Sequence, residues 1–212
     1  MNIVLIGIIV ANVLISWKGF EDYSFMRKYE FHVGSIRSGE QIRMLSSGFL
    51  HVDMMHLFFN MFTLWIFAPT VIDYLGNFSF ILVYIGSLVF GSLLTMVFHK
   101  NDYSYRAVGA SGAVTGVLYS AILLEPNSTI YLYFFIKMPA FIFGILYLLY
   151  SIYGMKAKND NIGHTAHFGG AVGGYLITLI KNPSLVYDQT FIVVLLLVPI
   201  VILFALAKLG KI

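Results

Sequence analysis

One hydroxyl set among small residues is the first feature of this chain that could do chemistry. In Gly109-Ala110-Ser111-Gly112-Ala113-Val114-Thr115-Gly116, Ser111 stands at the mouth of an apolar run, with Gly112 and Gly116 one helical turn apart. Glycines at that spacing form a flat strip along a helix that lets a neighbouring backbone come close, as small-xxx-small faces do in membranes. Taken alone, such a serine more often bonds back to a carbonyl of its own helix. A second stretch changes the odds: His167, Gly170 and Gly174 fall at i, i+3 and i+7, so a histidine heads one glycine strip as the serine heads the other. A third stretch, Met54-Met55-His56-Leu57-Phe58-Phe59-Asn60, stacks His56 and Asn60 at i, i+4. Polar groups inside an apolar run are costly and are functional candidates by default; the bland alternative is interhelical glue worth about 1 kcal/mol or less per bond.

Serine needs a base to become a nucleophile, and histidine is the usual one. Acyl transfer also needs donors for a developing oxyanion, and Asn60, His56 and the Ser111 backbone N–H are the available set. Asp53 and Asp160 lie toward the same side, but nothing in their spacing ties them to His167, so the expectation is a dyad. The chain contains no cysteine, which excludes a thiolate nucleophile, a disulfide frame and a thiolate metal site. His164-x-x-His167 lacks the glutamate of a His-Glu-x-x-His metalloprotease, and no metal or cofactor is expected. The aspartates fall at span ends or in loops, against an intramembrane aspartyl protease. The basic residues are scattered, leaving no footprint for nucleic acid.

The elements that must position these groups follow from composition. The 212 residues are 59% hydrophobic and 11% charged, with mean hydropathy +0.84. These values describe a polytopic membrane protein in contact with the lipid bilayer. Seven spans are expected: 1–17, 53–74, 78–98, 108–124, 139–155, 163–180 and 190–206. Trp17-Lys18 closes the first like an interface anchor. A secretory signal is disfavoured there, because no basic residue precedes the apolar part and no small-residue cleavage site follows it. Residues 18–50 are too apolar for a disordered linker and are expected to fold onto the membrane surface. Aromatic 129–138 is placed at the interface. With no internal repeat, the simplest organisation is one domain over 1–212, with a core of 1–180 and an additional C-terminal span at 190–207. Spans two, four and six start on the same side of the membrane. His56, Ser111 and His167 therefore meet at one depth.

Gly109-Ala110-Ser111-Gly112 with Gly116, Ala166-His167 with Gly170 and Gly174, and Gly48-Phe49-Leu50-His51 followed by His56 and Asn60 resemble three signatures of the rhomboid intramembrane serine proteases. The resemblance runs in order from the first span to the sixth, and the seventh span is similar to the added helix of six-plus-one members. It implies an all-α fold, a rhomboid-like six-helix core plus an extra C-terminal transmembrane helix, enclosing a water-filled cavity. It further implies Ser111 as nucleophile, His167 as general base and then acid, and an oxyanion hole of Asn60, His56 and the Ser111 amide. Gly109, Gly112, Gly116, Gly170 and Gly174 would support the site. The partners implied are single-span membrane proteins whose helices unwind easily, and the location implied is integral to a membrane, the plasma membrane if the chain is bacterial. The alternative is a catalytically silent relative that binds or escorts transmembrane helices. Two positions depart from the pattern. Ile42-Arg43 stands where a Trp-Arg pair is expected, and Thr115 replaces an aromatic that would stack on His167, leaving that support to another ring such as Tyr119. Family topology puts the amino terminus in the cytoplasm, where only Lys137 and Lys181 among the basic residues would lie inside, against the positive-inside rule.

Overall fold

The computed structural model describes residues 2–132, 135–157 and 162–212. Met1 and the polar stretch 158–161, including Asp160, lie outside the described residues. Helix α1 (Ile3–Glu21) opens on Asn2, whose side chain accepts from the Val4 and Leu5 amides. A surface segment follows: α2 (Tyr23–Tyr29), β1 (Phe31–His32), α3 (Val33–Arg37), α4 (Arg43–Ser46) and a 3-10 turn at Ser47–Phe49. Helix α5 (Met54–Phe98) is 45 residues long, about twice what a bilayer core of ~30 Å requires at ~1.5 Å per residue. Gly76, at φ 80° and ψ 166°, breaks it into two arms, the expected second and third spans. The second arm runs alongside α1 and reaches α4: Asn2, the N-cap of α1, bonds Asn77 at one end (2.7 Å), Asn12 bonds Tyr84 midway (3.0 Å), and Ser92 bonds the Met44 carbonyl at the other (2.8 Å).

Strand β2 (Arg106–Ala107) pairs antiparallel with β1, Phe31 opposite Ala107 and His32 opposite Arg106. The segment between α1 and α5 therefore holds the strand that leads into the serine motif. Helix α6 (Ser111–Leu124) has 14 residues, and all of Gly112–Leu124 is buried. It begins three residues later than the expected 108. Gly109 adopts φ 138°, outside the helical region, and its amide donates to the Ser47 carbonyl (3.0 Å). A helix of ~21 Å, shorter than the bilayer core and wrapped by its neighbours, can start below the surface. That start is Ser111.

Beyond α6, β3 (Thr129–Leu132) and β4 (Ile136–Pro139) form an antiparallel hairpin in the region expected at the interface. Helix α7 (Ala140–Ala157), α8 (His164–Lys181), the short α9 (Leu185–Asp188) and α10 (Thr190–Lys208) complete the chain. Among the described residues, α1, α5, α7 and α10 are long and apolar enough to cross a membrane. Helices α6 and α8 face protein on most sides, so their sequences can be shorter or more glycine-rich. The architecture is an all-α polytopic membrane protein carrying two short β ribbons.

Candidate active site

Helices α6 and α8 cross with their glycine strips in contact. A Cβ built at Gly170 would fall on the Gly112 carbonyl, and one at Gly174 on the Gly116 carbonyl, so backbone meets backbone at both turns. At the open end of this crossing a Cβ on Gly112 would lie 3.2 Å from the Ala166 carbonyl oxygen. Ser111 precedes Gly112 and His167 follows Ala166, so the crossing brings both residues to the same end of the two helices. Both are half-buried and line one cavity of about 990 Å³, shared with His56, Asn60, Thr115 and Tyr147. Among the described residues, no carboxylate lines it.

The loop before Ser111 is shaped by two histidines. Gly109 passes so near His56 that a Cβ there would lie 2.7 Å from the imidazole Cε1, and its positive φ excludes other residues independently. The Ala110 amide donates to His51 Nε2 (3.3 Å), and His51 Nδ1 meets Ser16 Oγ at 2.8 Å. Because Nε2 accepts, Nδ1 carries the hydrogen and donates to Ser16, whose own hydroxyl donates to the Phe49 carbonyl (3.0 Å). Burial, reinforced by the neighbouring His56, holds the His51 imidazole down to about 3, so it stays neutral as this arrangement requires. The His51 and His56 rings meet edge-on at 4.9 Å. His51 appeared in the sequence only as part of a motif. Its polar partners, Ser16 and the Ala110 amide, are 35 and 59 residues away, which spacing along the chain could not reveal.

Asp53 caps α5, accepting from the His56 amide (2.7 Å), and is thereby committed away from His167. Asn60 donates one amide hydrogen to the His56 carbonyl (2.9 Å) and has a second to direct elsewhere. Ser111 is the first residue of α6, and its N-cap Ala110 supplies no side-chain acceptor. The first-turn amides of a helix have no intrahelical partners and sit at the positive end of its dipole, a setting that favours negative charge.

His167 is supported differently from the expectation. Tyr119 is buried with its hydroxyl donated to the Gly144 carbonyl (2.7 Å), so it is not the supporting ring. That place belongs to Tyr147 of α7, whose Oη lies 3.0 Å from His167 Nδ1 with the rings inclined by only 21°. Thr115 Oγ1 in turn meets Tyr147 Oη at 3.2 Å. The missing tryptophan is also accommodated. Arg43 is buried, bonding Glu40 and the carbonyls of Arg27 and Glu30, while Ile42 is 62% exposed and contributes no anchor.

Glycine-to-backbone crossing of the serine and histidine helices, beneath a cavity, agrees with one family of membrane proteins, and comparison decides it: the model of the rhomboid domain matches residues 38–184. This chain belongs to the rhomboid family. It is 33% identical over 150 residues to the putative rhomboid protease YdcA of Bacillus subtilis, covering 68% of this chain and 69% of that one. It is 28% identical over 185 residues to the mitochondrial RHOMBOID-like protein 12 of Arabidopsis thaliana (79% of this chain, 55% of the relative). To the human mitochondrial presenilin-associated rhomboid-like protein it is 30% identical over 176 residues (79% and 45%). The chain thus spans about half the length of these mitochondrial relatives. It is a multi-pass membrane protein of a family that includes serine intramembrane proteases.

Proposed function

We propose that the chain is an intramembrane serine endopeptidase that cuts transmembrane segments of single-span membrane proteins with a Ser111–His167 dyad. The observation that supports this reading is the α6–α8 crossing, with Gly112 packed against the Ala166 carbonyl and both Ser111 and His167 lining one cavity. With the Nδ1 hydrogen donated to Tyr147, Nε2 is the basic nitrogen, and it takes the Ser111 proton as Oγ attacks the scissile carbonyl. The imidazolium then returns that proton to the leaving amine, and water repeats the cycle to release the acyl group. The Ser111 amide, the second Asn60 amide hydrogen and His56, which line the same cavity, would serve as donors to the oxyanion. A helix presented to this cavity must unwind before its carbonyls can be attacked, so substrates with glycine, proline or polar residues near the cut are favoured. The amino terminus is assigned to the cytoplasm, and a tag there should be protected in intact cells; an exposed tag would reverse the assignment.

The test is cleavage of a generic single-span substrate by the purified protein in detergent or liposomes, beside Ser111→Ala and His167→Ala. Cleavage abolished in both variants, with fluorophosphonate labelling lost in Ser111→Ala, is expected. A folded wild-type chain that binds the substrate helix but neither cuts it nor labels would support the escort role instead.

A further inference from the structure

Tyr147 lies outside every motif the sequence displays, yet its hydroxyl meets the imidazole of His167. Its hydroxyl touches two groups, His167 Nδ1 at 3.0 Å and Thr115 Oγ1 at 3.2 Å. Phe143, one turn earlier on α7, stacks on its ring (centroids 5.9 Å apart, 21° inclined) and limits its rotation. The other end of the same helix turn is tied to α6 by Tyr119, which donates to the Gly144 carbonyl. Thr115 is one helical turn beyond Ser111 and is buried, so it carries the brace on the serine's own helix. Three polar atoms in a row, with one hydrogen for each contact, can be ordered in two ways. Running from His167 to Tyr147 to Thr115 puts the ring hydrogen on Nδ1 and makes Nε2 the basic nitrogen, whereas the opposite order places a hydrogen on Nε2 and disables it as a base.

We propose that Tyr147, braced by Thr115, is the positioning residue for His167, so that α7, held from the serine helix, sets the tautomer and aim of the base. This rests on the Ser111–His167 reading above. Tyr147 acts on the reacting atoms through Nδ1 of His167. A phenolic oxygen can accept from Nδ1–H in both the neutral ring and the imidazolium, so the support lasts through both proton transfers. A consequence is that outward displacement of α7 withdraws the support, and a chain with α7 displaced has an undirected base.

The experiment measures kcat and KM on a single-span test substrate, with fluorophosphonate labelling rate and thermal midpoint, for wild type, Tyr147→Phe, Thr115→Val, Thr115→Ser and the Tyr147→Phe/Thr115→Val double variant. Tyr147→Phe keeps the ring and its stacking and removes only the hydroxyl. It is expected to lower kcat and labelling rate about tenfold or more, with KM within about twofold, because orientation of a general base is a transition-state effect. Thr115→Val should fall in the same direction by less, Thr115→Ser should restore near wild-type rate, and the double variant should match Tyr147→Phe because the two act as one unit. Wild-type kcat in Tyr147→Phe overturns the proposal, and simple multiplication of the two single effects overturns the part assigned to Thr115. Should Tyr147→Phe fail to fold, the Thr115→Val and Thr115→Ser pair decides by the same criteria: equal rates overturn. A wild type that itself neither cuts nor labels overturns the protease reading first.

Discussion

Adding a single methyl at Gly91 tests whether the spacing of α5 and α8 sets the aim of His167. A Cβ at this position would stand 2.6 Å from the Ala166 carbonyl oxygen, where ordinary contact begins at 3.4 Å, so the two helices must part there by about 0.8 Å. The opposing atom is backbone, which cannot rotate aside, and it belongs to the residue preceding His167. Overpacking of this kind costs about 1–3 kcal/mol, and a misplacement of about 1 Å at a catalytic group costs as much as ~100-fold in rate. We expect Gly91→Ala to lower kcat about 10- to 100-fold while leaving a folded protein. Gly112→Ala faces the same oxygen at 3.2 Å, a shortfall of about 0.2 Å, and should lose only a few-fold. Gly7→Ala, with nothing within 4 Å, is the control and should be neutral or slightly stabilising in its helix. Cleavage of a single-span substrate in detergent, read beside the thermal midpoint, gives the order. Gly91→Ala with kcat within about twofold of wild type would refute the reasoning, since the base would then tolerate a displaced α8.

His51 should make stability fall in mild acid. Its folded-state pKa is depressed to about 3 while the unfolded chain titrates near 6.5, so below pH ~6.5 the unfolded state takes up a proton that the folded state refuses. The thermal midpoint should drop as pH falls from 6.5 toward 3, and His51→Leu should flatten that slope by about one proton, at the cost of a loosened Ala110 loop; an unchanged slope would contradict the neutral assignment. Glu30 is buried and pairs with Arg106 and with Arg27 (3.1 Å), joining the surface segment to the strand that precedes the serine loop. With both arginines partly exposed, Glu30→Ala is expected to cost about 1–2 kcal/mol, and to lower kcat along with the midpoint; a drop in stability without any change in kcat would separate the clamp from the site.

Much of this molecule is local enough to be written in the chain. Span positions follow from the length of apolar runs, because a bilayer leaves backbone polar groups no partner except their own helix. Parity of those spans, with glycines at helical spacing beside Ser111 and His167, was enough to expect the two side chains on one side of the membrane. The family likeness in the motifs added the direction of the chemistry. What sequence could not supply were contacts between residues far apart in the chain whose chemistry is not tied to any spacing. Where α6 begins was decided by Gly109, whose positive φ and bond to the Ser47 carbonyl end the extended approach just before Ala110, so that the helix starts at Ser111. The histidine that pins that approach, His51, is recognised only once Ser16 and Ala110 are seen on either side of it. Tyr119 and Tyr147 are both tyrosines on membrane helices, and nothing in their types distinguishes them. Only the packing of α7 against α6 and α8 commits one hydroxyl to Gly144 and turns the other to His167. Periodicity determines which face a residue occupies, but which neighbour that face meets is a property of the assembled bundle.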